Sequence, residues 1–89
     1  MALRYFPRFT QENYAEARHR FPHLALPRSW DEWANRVFQK LARATSVGDT
    51  LVQVDVDLDG FADYADARDA MAEFYDLECY VVAKVHRRA

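Results

Sequence analysis

Between Leu51 and Leu58 apolar side chains occupy alternate positions, and that run constrains the fold more than any other. Val52, Val54, Val56 and Leu58 point one way and Gln53, Asp55 and Asp57 the other, the period of a half-buried strand with a polar outer face. A lone strand leaves backbone N–H and C=O groups unpaired. A second strand must therefore be found within the 89 residues of the chain.

The rest of the sequence runs mostly at helical period. Thr10 is placed as an N-cap, and Tyr14, Ala17 and Phe21 recur on one stripe before Pro22, which predicts a short helix over 11–21. After the connector at 22–28, Ser29-Trp-Asp-Glu32 has the form of a capping box. Trp30, Trp33, Ala34, Val37, Leu41 and Ala44 then share a face opposite Glu32, Arg36, Gln39 and Arg43, predicting a helix over 30–45. Beyond Gly60 a third helix is predicted from about residue 61, with Phe61, Tyr64, Ala65, Met71, Ala72 and Tyr75 on its apolar side. Arg68 falls in the middle of that side. Either it snorkels to a carboxylate, or the helix breaks there and Asp69 caps another.

Residues 78–86 fit two readings. As a strand they turn Cys79, Val81, Ala83 and Val85 inward and supply the partner that 51–58 needs through a strand-helix-strand unit, which favours the strand. A buried helix through Leu77, Val81 and Val85 is the alternative. The fold class is α+β: two helices on a small sheet containing strand 51–58, then a helix from about 61 and a C-terminal strand or helix over 78–86. No linker, repeat or low-complexity stretch divides it, so 1–89 reads as one domain.

The second distinctive feature is charge. Residues 1–48 carry eight basic and four acidic side chains, whereas 49–78 carry one basic and ten acidic, although the whole chain sums only to −2. Asp55, Asp57, Asp59, Asp63, Asp66, Asp69 and Glu73 would form a negative face if the outer sides of strand and helix lie together. Such a field accelerates encounter with a basic partner and repels nucleic acid. The plain alternative is a solvated surface that aids solubility and compensates a helix N-terminus.

Asp55, Asp57, Asp59, Asp63 and Asp66, with Gly60 at the sixth position, also match the spacing of a twelve-residue calcium loop. Strand period runs directly into that segment, however, and carboxylates roughly 6–7 Å apart along a strand face do not converge on one ion. Arg36, Lys40 and Arg43, spaced four and three apart on the second helix, form a basic stripe that phosphates would suit, with Tyr5, Phe6 and Phe9 as stacking surfaces. A sequence pI near 5.8 disfavours a nucleic-acid partner. Trp30 and Trp33 read as core, or as interface anchors.

Catalysis finds no motif. His19, His23 and His86 are scattered, and neither a Gly-rich phosphate loop nor a nucleophile elbow occurs. Cys79 and His86 would pair only if the fold brought them together. The single cysteine excludes an internal disulfide and suggests a reducing compartment. No segment has the roughly 18 consecutive apolar residues of a membrane span. No cofactor is read from the sequence.

Phe6-Pro-Arg-Phe-Thr10 followed by Tyr14, then Leu26-Pro-x-Ser-x-x-Glu-Trp33, then an acidic, valine-rich segment ending in Phe61 and Tyr64, resembles a group of small bacterial proteins with no characterised activity. The resemblance implies a bacterial, intracellular, non-enzymatic protein and a helical last segment, and it carries over no functional residue. The expectation is a cytoplasmic, non-enzymatic interaction module that holds a basic protein partner on its acidic face. An inhibitor that mimics nucleic acid is one form of it. Self-association would set the basic stripe of one copy against the acidic block of the next.

Overall fold

The computed structural model describes residues 2–87, with only the backbone of Arg87. The strand that 51–58 requires lies at the N-terminus. Strand β1 (Leu3–Arg8) pairs in parallel with β2 (Thr50–Asp55), Phe6 standing beside Gln53 and Arg8 beside Asp55. Between them run helix α1 (Gln11–Arg20), a 3-10 turn (Pro22–Leu24) and helix α2 (Trp30–Ser46). Helices α3 (Leu58–Ala67) and α4 (Phe74–Arg87) follow. The α+β class and the helices at 11–21 and 30–45 stand, to within a residue at their ends.

Four expectations change in detail. Residues 78–86 are helical, so they do not pair with β2; Leu77 and Val81 are wholly buried and Tyr80 nearly so, the spacing of one helix face. Once β1 supplies the ladder, that segment gains nothing from extended backbone. Second, β2 ends at Asp55, and Val56 and Leu58 are buried without being strand. Third, α3 starts at Leu58, three residues early, because Gly60 is accommodated inside its first turn.

Fourth, the helix breaks at Arg68, but Asp69 does not cap α4. Asp69 and Ala72 take left-handed backbone (φ 53° and 58°) in the connection between α3 and α4. The N-terminus of α4 is closed instead by Asp76, whose carboxylate accepts from the Glu73 amide at 2.9 Å. Arg68 meets no carboxylate among the described residues; its guanidinium stacks 4.3 Å from the centre of the Tyr64 ring.

The caps explain where the first helices begin. Thr10 Oγ1 accepts from the Asn13 amide at 3.1 Å, and Asn13 Oδ1 accepts from the Thr10 amide at 2.9 Å, a reciprocal pair. Ser29 Oγ accepts from the Glu32 amide at 3.1 Å. Each such cap contributes about 1 kcal/mol.

Helices cover both faces of the two-stranded sheet. Phe6 stacks on Trp33 of α2 at 5.6 Å, and Tyr5 on the opposite face meets His86 of α4 edge-on at 6.5 Å. Pro7 is fully buried. Thr50 donates to the Ala2 carbonyl and Val56 to that of Arg8, so even-numbered residues of both strands hold the ladder and Pro7 sacrifices no bond. Around Trp33 the rings of Phe6, Phe9, Tyr14 and Phe74 gather. A second cluster joins Phe21, Phe61 and Tyr80 where α3 meets α4.

Candidate functional site

All seven carboxylates singled out above are exposed, but they do not share one environment. Asp55, at the end of β2, faces Arg8 across the ladder at 3.6 Å. Asp59, in the first turn of α3, receives Arg20 Nη1 at 2.8 Å, and Glu16 lies 3.3 Å from the same nitrogen. The Arg20 guanidinium is held above its usual range chiefly by the hydrogen bond to Asp59. Asp57 stands before α3, its Oδ2 3.1 Å from the point where a β-carbon on Gly60 would sit.

Asp63, Asp66, Asp69 and Glu73 form no ion pair within the described residues. They run along α3 and into the connection, where Asp69 is itself left-handed and Glu73 follows the left-handed Ala72. Met71 and Tyr75 stand there too, 62 % and 71 % exposed. Sequence periodicity placed both on the buried side. The break at Arg68 resets the helical wheel, and only Phe61 and Ala65 of that stripe are fully buried. The Tyr75 phenol is raised above its usual range, mainly by the Cys79 side chain one turn along α4.

Between α3 and α4 opens a cleft of about 1080 Å³, lined by Asp57, Asp63 and Tyr64 and by Tyr80, Lys84 and His86 of α4. Lys84 Nζ donates to the Asp55 carbonyl at 2.7 Å. The 55–66 segment does not form a calcium loop: helix begins at Leu58, Gly60 is not left-handed, and two of the five carboxylates carry arginine partners. Among the described residues no three His, Cys, Asp or Glu side chains are placed to hold a metal ion.

Arg36, Lys40 and Arg43 are exposed on α2, with the Lys40 ammonium 5.1 Å from the centre of the Phe6 ring. Phe6 and Phe9 are buried core residues, so they offer no stacking surface to a base. Trp33 is core, and Trp30 is half-buried, its indole N–H donating to the Phe9 carbonyl at 3.1 Å. Cys79 and His86 lie seven residues apart on one helix, about 10 Å of rise, too far for a nucleophile and its base. No described helix is long and apolar enough to cross a membrane.

No protein-family model, curated protein or solved structure matches the chain.

Proposed function

We propose that this chain is a non-enzymatic, cytoplasmic interaction module and that its contact with a basic protein partner centres on the α3–α4 connection. One observation carries the reading: Met71 and Tyr75 are exposed, in a stretch of chain that also holds the exposed acids Asp66, Asp69 and Glu73. Tyrosine and methionine are enriched in binding surfaces, where a bulky anchor is surrounded by a polar rim. The two left-handed residues beside Met71 add support, since non-glycine residues in that region cost free energy and persist where the surrounding structure holds them.

Compared with the seven acids selected from the sequence, the contact shifts toward the connection. Asp55 and Asp59 already have guanidinium partners, so their fields are partly offset at short range. Asp63, Asp66, Asp69 and Glu73 act outward, with Asp57 at the neighbouring cleft. A partner with lysines or arginines around an apolar depression fits this arrangement. A protein that normally grips phosphates is one such partner.

The test is capture of a basic protein by the immobilised chain, compared with Asp63→Asn/Asp66→Asn/Asp69→Asn/Glu73→Gln. The wild type retains the partner at low salt and releases it as ionic strength rises past about 0.15 M, where screening acts within roughly 8 Å. The quadruple variant, folded by circular dichroism, does not retain it. The same protein held equally by wild type and variant refutes the reading.

A further inference from the structure

The geometry points to a second interaction surface, the outer edge of β2, at which two copies of this chain pair antiparallel to join their sheets. It is independent of the acidic contact.

Ladder bonds to β1 use the even-numbered residues of β2, as the Thr50 and Val56 donations at its two ends establish. The amides and carbonyls of Leu51, Gln53 and Asp55 therefore point away from β1. The sheet has two strands, so no described strand lies on that side. Lysine 84 reaches the Asp55 carbonyl and leaves its second lone pair open. Natural sheets blunt such edges with proline, charge or cover. Pro7 does this on β1, but β2 has no proline.

Apolar surface adjoins the same edge. On the α2 side, Gln53 borders an open cleft of about 250 Å³ with Trp30, Val37, Phe38 and Leu41. Phe38 is 68 % exposed and Leu41 39 %. On the α4 side Val52 and Val54 border another with Val85. An added strand would send alternate side chains toward each of these two faces.

A second copy fits this edge by symmetry and by charge. With Gln53 on a two-fold axis, Gln53 pairs with the partner's Gln53, and Leu51 exchanges both backbone bonds with the partner's Asp55. Val52 then faces the partner's Val54, a favourable β-branched pair. No like charges meet in this register: Asp55 is already beside Arg8 at 3.6 Å and now faces a leucine. The free carboxylates of the α3–α4 connection do not belong to this edge. Two strands become four, within the usual range for a sheet. A six-residue edge with Phe38 and Leu41 from each copy is an interface of about 1,200 Å² or less in total. That size calls for a reversible dimer.

Sedimentation velocity from about 1 to 500 μM, with amide exchange followed by NMR, tests the proposal. The wild type shifts from monomer toward dimer with concentration, and the Leu51, Gln53 and Asp55 amides exchange more slowly as it does. Gln53→Pro removes an outward N–H without taking a ladder bond. Phe38→Asp leaves the strand untouched and controls for misfolding. Each weakens the dimer at least tenfold while keeping the wild-type circular dichroism. A monomer throughout the range overturns the proposal, as does a dimer in which those three amides gain no protection. Dimerisation of a folded Gln53→Pro at wild-type strength overturns it as well.

Discussion

Replacing Gly60 by alanine sets helix propensity against packing at one atom. Gly60 lies in the first turn of α3 with no left-handed backbone, so alanine meets no conformational penalty and would gain about 0.8–1 kcal/mol in a free helix. An added β-carbon, however, would stand 2.7 Å from the Tyr80 hydroxyl and 3.1 Å from Asp57 Oδ2. Asp57 is exposed and can turn away. Tyr80 is 9 % exposed and packed against Phe61 and Tyr64, so its ring moves only by disturbing the second aromatic cluster. Overpacking of that kind costs about 1–3 kcal/mol. The net expectation for Gly60→Ala is a loss of about 1 kcal/mol, equivalent to a fall of roughly 4–8 °C in Tm for a domain this size. Tyr80→Phe removes the obstructing oxygen at its own cost, and in that background Gly60→Ala should stabilise by about 0.5–1 kcal/mol. Urea denaturation of the four proteins gives a coupling of about 1.5–2 kcal/mol. If Gly60→Ala alone raises stability by the full helix increment, Tyr80 is not fixed and the packing assigned to α3 and α4 is wrong.

Other consequences follow from single side chains. Phe61→Ala empties a wholly buried site against Phe21 and Tyr80 and should cost about 3–5 kcal/mol in the same assay, much of the roughly 5–13 kcal/mol expected of such a domain. The Asp49 carboxyl is held below its ordinary range first by Arg4 Nε at 2.9 Å and then by the Ala2 amide. Its contribution is therefore present above about pH 4 and fades as pH falls through the lowered value, and Asp49→Asn should flatten that part of a stability–pH curve. Arg20→Ala releases Asp59 and Glu16 at the surface, where solvent screens such pairs, so thermal melting should change little while negative charge is added beside α3. Calcium at millimolar concentration should leave Tm unchanged; a rise would mean that the 55–66 carboxylates converge.

The helices were legible where one face, one cap and one stop agreed. Ser29, the stripe from Trp33 to Ala44 and the turn at Gly48 define α2 locally, and β2 is announced by its alternating valines. Strand β1 gave a weaker signal, because Pro7 interrupts it and aromatics stand on adjacent positions. Its tolerance of proline depends on which edge faces β2, a tertiary fact. The candidate contact was legible as a concentration of acids between 49 and 78, but its extent was not. The pairs Arg20–Asp59 and Arg8–Asp55 join residues 39 and 47 positions apart, and no local pattern records them.

Amino-acid order by itself determined which segments are amphipathic, where α1 and α2 are capped, and that a parallel or antiparallel partner for the valine run had to exist. These depend on neighbours within a turn or two, whose interactions are fixed by spacing along the backbone. Tertiary structure alone decided that β1 is that partner, that residues 78–86 are helix, and that Met71 and Tyr75 face outward while some acids are neutralised. Each outcome is a competition between distant groups for one core and one ladder: β1 satisfies the hydrogen bonds of β2, and α4 is then free to bury Leu77 and Val81 as a helix.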